Sequence, residues 1–157
     1  MSDARARRFN IRLLPFRASH LDLLAAWLRL PHVSQWYPDV ERELAWAINL
    51  PPGASQVLLA CQRQAIGYLR WRVDEPTALP EPDAGSRAVT VDVLIGSTAH
   101  VGHGIGPKVL NLLASRFSAD TGVRLMLAAP SIDNAAAQRA GRCRICGDRP
   151  HQRRRVC

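Results

Sequence analysis

The chain has 157 residues, a length that suits a single domain with a buried core. Its hydrophobic content of 47% and charged content of 22% are typical of a globular protein and exclude a disordered one. The longest apolar runs are too short to span a bilayer, and the basic start lacks the apolar segment of a secretory signal. Only Cys61 lies outside the last seventeen residues, so we expect no disulfide framework, a cytoplasmic location and no membrane partner.

The formal net charge of +8 is unevenly distributed along the chain. Six arginines and one aspartate give residues 141–157 a net charge of +5, which leaves +3 for residues 1–140. A nucleic-acid-binding domain carries a basic patch on its own surface. The body of this chain lacks that excess of charge, so no nucleic-acid partner is predicted for it.

Strands and helices alternate along the chain, and no internal repeat is present. Helices are recognised by apolar residues at helical spacing, and strands by β-branched residues and alternation. The predicted elements are a strand at 10–16, a helix at 20–29, a short segment between Pro31 and Pro38, a helix at 41–49, a hairpin of strands at 56–62 and 65–74, a strand at 87–96, a helix at 107–117, a strand at 123–130 and a helix at 131–140.

The segment VGHGIGPK at 101–108 carries the densest chemistry. A glycine-rich turn that leads directly into a helix leaves backbone N–H groups unpaired at the helix N-terminus, where the dipole favours an anion. Glycines at 102, 104 and 106 allow the backbone to approach a pyrophosphate without a Cβ atom in the way. Lys108 lacks the Ser or Thr of a Walker loop, and the segment does not match a dinucleotide fingerprint. By itself, such a turn can also be only a tight connection.

The order of the motifs is more specific than any one of them. The strand VDVLIG is followed by the Gly-rich loop, a helix, a strand and DNAAAQRA. This order resembles the GNAT superfamily of acetyl-CoA-dependent N-acetyltransferases over roughly residues 10–140, with the closest likeness to aminoglycoside 6′-N-acetyltransferases and siderophore-pathway acyltransferases. The resemblance implies an α/β fold with a mixed, largely antiparallel central sheet that splays after the fourth strand, helices on both faces, and acetyl-CoA as co-substrate. We expect the last strands to be missing, and a monomer or homodimer.

Asp92 is the predicted catalytic residue. A primary amine attacks a thioester only when it is neutral, so a carboxylate that takes its proton assists the reaction. Asp92 lies just before the expected splay, where the family places a substrate-binding or base aspartate. The alternative is a solvent-facing strand residue, because alternation puts positions 88, 90, 92 and 94 on one face. Aspartate is disfavoured inside strands, which favours the functional role.

The co-substrate is expected to lie along the backbone after Asp92. N–H groups of the strand would hold the thioester carbonyl, and the Gly-rich loop would hold the pyrophosphate. Asn134 matches the family's cofactor-contacting asparagine, with a polar role in a first helical turn as the alternative. Val101 is a departure, because many family members carry Gln or Arg there. The predicted cofactor-binding residues are Val93, Leu94, Ile95, Val101, Gly102, His103, Gly104, Ile105, Gly106 and Asn134.

The predicted acceptor-binding residues are Trp36, Tyr37, Asp83 and Asp92. Trp36 and Tyr37 lie in a segment that resembles the one shaping the acceptor cleft in the family, although aromatic residues beside a helix are often core. Asp83 belongs to the acidic loop at 74–83, which either attracts a polycationic amine or is simply solvated. The predicted reaction is acetylation of a small-molecule primary amine, the 6′-amino group of an aminoglycoside antibiotic. No metal site is expected.

Residues 141–157 are predicted to form a basic tail outside a domain of residues 1–140. One alternative is a zinc-dependent nucleic-acid-binding module on an inactive scaffold, with Cys143, Cys146, His151 and Cys157 as ligands. The tail has no aromatic residue to stack on bases, which disfavours this alternative. If the codons are GC-rich, a shifted reading frame restores the Ala-Gly-Phe that the family carries here, so a frameshifted terminus is favoured. Gly141 stands where the family has a tyrosine that protonates the leaving thiolate.

Overall fold

The computed structural model describes residues 9–74, 87–119, 123–128 and 142–144. Every element predicted within these ranges is confirmed, with ends that differ by at most two residues. The predicted helix at 131–140 lies outside them. The elements are β1 (Ile11–Pro15), α1 (Leu21–Leu28), α2 (Pro31–Ser34), α3 (Val40–Ile48), β2 (Ala54–Cys61), β3 (Gln64–Val73), β4 (Arg87–Ile95), α4 (Ile105–Phe117), β5 (Val123–Ala128) and β6 (Arg142–Arg144).

The six strands form one mixed sheet in the order β1-β2-β3-β4-β5-β6. Neighbours from β1 to β4 are antiparallel, β4 and β5 are parallel, and β5 and β6 are antiparallel. The predicted α/β fold with a largely antiparallel sheet is therefore confirmed. Gln62 and Arg63 connect β2 to β3 with positive φ angles of 48° and 71°, as a two-residue hairpin turn requires.

The strand β6 was not predicted from the sequence. Its three residues pair with Leu125–Leu127 of β5, so this part of the β5 edge is covered and not exposed, and one strand is present where the last strands were expected to be missing. Nothing in the tail alternates as a strand does. An edge strand offers unpaired backbone groups to any adjacent segment, whatever its side chains. For this reason the sequence pattern did not predict β6.

The described ladder between β4 and β5 ends at Val91 and Ala128, so the residues that would test the expected splay lie outside the described part of β5. Residues Arg87–Val91 of β4 pair with β5, whereas Asp92–Ile95 have no partner in the described part of β5. On its other edge β4 remains paired with β3 as far as Ile95. The second half of β4 is therefore held by β3 on one edge, and its other edge has no partner among the described residues.

Helices cover both faces of the sheet. The α4 face is apolar, and its fully buried side chains include Leu69, Val89, Val109 and Leu113. The opposite face packs against α1 and α3 through residues such as Leu24, Leu28, Leu58 and Leu94. No helix in the described part of the chain is long and apolar enough to cross a membrane.

Helix α4 begins two residues earlier than predicted. Gly104 is its N-cap, with a φ of 73° in the left-handed region that glycine adopts without strain. Pro107 is thus the third helical residue and not the first. A proline is tolerated there because the N–H groups of the first turn have no partner within the helix.

Gly96, directly after β4, fixes the position of α1 against the sheet. A Cβ atom at this position would lie 2.2 Å from the indole ring of the buried Trp27. We therefore expect Gly96→Ala to lower the free energy of unfolding by about 1–3 kcal/mol through overpacking. Urea denaturation of the full chain would measure the change.

Gly106→Ala is the matched control for this substitution. A Cβ atom on Gly106 meets no atom within 4 Å, and the residue lies in a helix. The same added methyl group should leave stability unchanged or raise it by up to about 1 kcal/mol. Equal losses of stability in both variants would contradict the proposed contact between Trp27 and Gly96.

Candidate functional site

Asp92 lies in a small cleft between the sheet and the helices α1 and α3. The side chain points to the same face of β4 as Leu94, toward these helices. The cleft combines apolar walls with a polar floor, and it is lined by Leu24, Leu28, Tyr37, Glu43, Tyr68, Arg70, Asp92 and Leu94. Of the five polar side chains in this lining, the sequence predicted Tyr37 and Asp92 but not Glu43, Tyr68 or Arg70.

The Asp92 carboxylate is held by two side chains. The Tyr37 hydroxyl donates a hydrogen bond to Oδ1. Arg70 donates to Oδ2 from Nε at 3.1 Å and from Nη2 at 2.8 Å. The Asp92 side chain keeps 28% of its surface exposed. It is therefore a partly buried, ion-paired residue with one accessible side, and the alternative of a solvent-facing strand residue does not hold.

Arg70 is shared between two carboxylates. Its Nη2 atom lies 2.6 Å from Glu43 Oε2, and its guanidinium lies over Trp46 with Cζ 4.6 Å from the ring centroid. The Glu43 side chain is only 7% exposed. A second arginine, Arg42, reaches Glu43 Oε1 at 3.1 Å from the surface. Glu43, Arg70 and Asp92 thus form a continuous charged chain from α3 across β3 to β4.

Two pKa shifts follow from this arrangement. Burial raises the pKa of Tyr37 far above its ordinary value, and the charge of Asp92 and the hydrogen bond to it raise it further. Burial alone would lower the pKa of Arg70, but Asp92 and Glu43 outweigh it, and the pKa of Arg70 is raised. Tyr37 therefore remains a neutral hydrogen-bond donor, and Arg70 remains charged, throughout the physiological pH range.

The cleft carries a formal charge of −1, from two carboxylates and one guanidinium. Tyr68 adds no charge, because burial raises the pKa of its hydroxyl. Its hydroxyl donates to Gln56 Oε1 at 2.7 Å, and Gln56 Nε2 donates to the Ala47 carbonyl at 2.8 Å. These bonds tie α3 to the sheet beside the charged chain. The remaining negative charge suits a cationic or amine-bearing ligand.

The backbone of β4 presents two amides to the gap beside β5. Gly96 N–H donates to the Ile66 carbonyl of β3 at 2.9 Å. Backbone groups alternate in direction along a strand, so Leu94 pairs with β3 while the N–H groups of Val93 and Ile95 point away from it, into the gap. His32 Nε2 lies 3.0 Å from the Ile95 carbonyl, on that same side. Of the three residues predicted to hold a thioester carbonyl, two therefore have amides in position.

The Gly-rich loop leaves its N–H groups unpaired at the start of α4. Val101 N–H bonds to the Thr98 carbonyl, and Lys108 N–H bonds to the Gly104 carbonyl. Between them, residues 102–106 donate no backbone hydrogen bond to the described residues. Gly102 has a φ of 76°, and Cβ atoms on Gly102 and Gly106 would meet open space. These features match those of an anion site at a helix N-terminus, so the loop remains the predicted pyrophosphate site.

The other predicted binding residues of the loop have different surroundings. Ile105 is only 2% exposed and belongs to the α4 core, so only its backbone is available to a ligand. Val101 is 44% exposed. The His103 ring packs edge-on against Phe9, with 5.5 Å between centroids. Lys108 Nζ donates to the Phe9 carbonyl.

The remaining predicted residues are less informative. Trp36 is half-buried beside Tyr37. Asp83 and Asn134 lie outside the described residues. Of the four predicted zinc ligands, only Cys143 falls in the described part of the chain, where its backbone belongs to β6, and Cys146, His151 and Cys157 lie outside it. Within the described residues, no group of three or more His, Cys, Asp or Glu side chains could hold a metal ion.

Comparison with known proteins identifies the family. A model of the acetyltransferase (GNAT) domain matches residues 17–152. The chain therefore belongs to the GNAT acetyltransferases, which use acetyl-CoA as co-substrate. The match continues beyond residue 140, where the sequence predicted a domain boundary. No curated protein sequence matches the chain.

Solved structures share the fold at low sequence identity. The aminoglycoside acetyltransferase AAC(6′)-Ib in complex with coenzyme A is 21% identical with a TM-score of 0.67, and the match covers 83% of this chain and 80% of that one. An aminoglycoside N(6′)-acetyltransferase from Legionella pneumophila is 21% identical with a TM-score of 0.66, over 84% and 77% of the two chains. An uncharacterised protein from Bacillus halodurans is 14% identical with a TM-score of 0.70, over 86% and 73%.

The site fits acetyl-CoA in two independent respects. The loop at 102–106 has free N–H groups and open space for a pyrophosphate, and the gap beside Val93 and Ile95 has amides for the thioester carbonyl. We expect Gly104→Asp to weaken coenzyme A binding at least tenfold, because a carboxylate would stand at the anion site. Isothermal calorimetry on the full chain would measure the affinity.

Gly104→Asn is the control that isolates charge. Asparagine and aspartate have the same shape and both tolerate a positive φ angle better than other side chains. The asparagine variant should bind coenzyme A more tightly than the aspartate variant. Equal affinities in the two variants and the parent would contradict the assignment of the pyrophosphate to this loop.

Proposed function

We propose that this chain transfers the acetyl group of acetyl-CoA to a primary amine of an aminoglycoside, most simply its 6′-amino group. The observation that carries the proposal is the position of Asp92. Its carboxylate reaches the acceptor cleft from the residue directly before Val93, whose amide faces the gap for the thioester. An amine bound to Asp92 would therefore be adjacent to the reacting carbonyl.

The chemistry requires little else from the protein. The amine nitrogen bonds to the carbonyl carbon of the thioester, the carbon–sulfur bond breaks, and coenzyme A leaves as a thiolate that gains a proton from solvent. Asp92 accepts the proton that the amine loses. The N–H groups of Val93 and Ile95 stabilise the negative charge that develops on the carbonyl oxygen.

The hydrogen bonds to Asp92 orient it for this role without blocking it. Each carboxylate oxygen has two lone pairs: Arg70 uses both lone pairs of Oδ2, whereas Tyr37 uses one on Oδ1 and leaves the other as an acceptor. Tyr37 is a permanent donor because of its raised pKa, so it is not the base. Asp92 is then the residue that binds the ammonium form of the acceptor and takes its proton.

Support for an aminoglycoside acceptor comes from the charge of the cleft and from the neighbours. Two carboxylates and one guanidinium leave a net negative charge for a cationic amine. AAC(6′)-Ib, with the same fold, has been solved with coenzyme A and kanamycin, and with coenzyme A and ribostamycin. These acceptors carry several amines on hydroxylated rings, which suits a cleft with both polar and apolar walls.

The test of the proposal is turnover after substitution of Asp92. With kanamycin as acceptor, we expect Asp92→Asn to lower thiol release from acetyl-CoA by on the order of a hundredfold or more, as for loss of a general base. Coenzyme A affinity should stay near the parental value, because the gap and the loop contribute backbone groups only.

Asp74→Asn is the matched control. Asp74 is also held by an arginine and a hydroxyl, Arg72 Nε at 3.1 Å and Thr90 Oγ1 at 2.9 Å, but it lies at the far end of β3 from the splay. Its amide variant should change turnover only a few-fold. Parental turnover in Asp92→Asn would assign Asp92 to structure alone, and absence of any acetylated aminoglycoside with the parent would overturn the acceptor class.

A further inference from the structure

Arg70 stands where a small organic cation would bind. Its Nη2 atom is in contact with both Glu43 Oε2, at 2.6 Å, and Asp92 Oδ2, at 2.8 Å. Trp46 supplies an aromatic face 4.6 Å from Cζ. Two carboxylates and an aromatic face are the groups that recognise ammonium and guanidinium ligands. The chain fills this arrangement with a side chain of its own.

Because these side chains are buried, a cation between Glu43 and Asp92 is strongly favoured. The side chains of Arg70 and Glu43 are 15% and 7% exposed. A buried carboxylate without a counter-ion is strongly destabilising, and the exposed Arg42 contacts only the opposite oxygen of Glu43. The space between Glu43 and Asp92 therefore favours a positive charge, whichever molecule supplies it.

We propose that Arg70 is a specificity-determining residue, which occupies a cation subsite between Glu43 and Asp92 and leaves the acceptor only the exposed side of Asp92. The inference rests on the proposed function, because it assigns that exposed side to the acceptor amine. With Arg70 in place, a polyamine presents one ammonium group to the cleft, and Glu43 is closed to a second one. Without the guanidinium, the same cleft would accept a further ammonium or guanidinium group.

Arg70→Gln tests this by opening the subsite. Glutamine keeps part of the stem and can hydrogen-bond to the carboxylates, but it removes the charge. The probes are methylguanidinium and 1,4-diaminobutane at millimolar concentration, with sodium chloride of equal ionic strength as the reference. Thermal melts of the full chain should show a rise in melting temperature of about 3–6 °C at ten times Kd for Arg70→Gln, and under 1 °C for the parent.

Two further variants serve as controls for the Arg70→Gln experiment. The double variant Glu43→Gln with Arg70→Gln lacks one carboxylate of the subsite, so the probes should no longer raise its melting temperature. Arg70→Lys retains a cation and should behave as the parent does. If Arg70→Gln folds only in the presence of methylguanidinium, and not in sodium chloride, the subsite is supported. If neither probe stabilises Arg70→Gln or recovers it folded, the proposal is overturned.

The melting experiment needs neither acetyl-CoA nor turnover, so its failure is distinct from that of the proposed function. Stabilisation of Arg70→Gln by the cations, with no acetylation of amines by the parent, would support the subsite and reject the acetyl transfer. Acetylation of kanamycin by the parent, with no effect of the cations on Arg70→Gln, would reject the role of Arg70 alone.

Discussion

The pairing of β4 with β3 along its whole second half is the constraint on which the rest of the site depends. The N–H groups of Val93 and Ile95 face the other edge of β4, where they have no partner among the described residues. They are nevertheless fixed, because β3 holds the same strand along its other edge. Donors fixed by a sheet need no reorganisation when charge develops on a bound oxygen, which is the condition for effective electrostatic catalysis. A flexible loop with the same N–H groups would lose that advantage.

A second constraint couples the acceptor cleft to stability. Glu43 is buried with Arg70 beside it, and Glu43 and Asp92 outweigh the effect of burial on the pKa of Arg70, which is raised. Loss of Arg70 removes the counter-charge that Glu43 and Asp92 share, so the three side chains cannot vary independently. The shape of the cleft and its charge are set by the same groups. A change of acceptor preference therefore requires coordinated replacement of charges on α3, β3 and β4.

The sequence predicted the backbone of the site better than its side chains. Alternation and β-branched residues identified β4, and the motif order identified Asp92 and the Gly-rich loop. The side chains that bind Asp92 were not predicted to be its partners, because they come from other elements. Arg70, for example, lies 22 residues away in the chain. The burial of Glu43 could have been predicted from the sequence pattern of α3. This residue falls on the apolar stripe of α3 with Leu44 and Ala47, and a charged residue in such a stripe needs a buried partner.

The charge of the whole chain and the charge of the cleft have opposite signs, and distance decides which one a ligand experiences. The formal net charge is +8, whereas Glu43, Arg70 and Asp92 sum to −1. At physiological ionic strength charges separated by more than about 8 Å are largely screened, so a ligand in the cleft responds mainly to the charges nearest to it. Partly buried charges are screened much less. Discrimination between cationic ligands at the cleft therefore depends on the charges within a few ångströms of it, and Asp92, with 28% of its side chain exposed, is the member of the charged chain that a ligand reaches most readily.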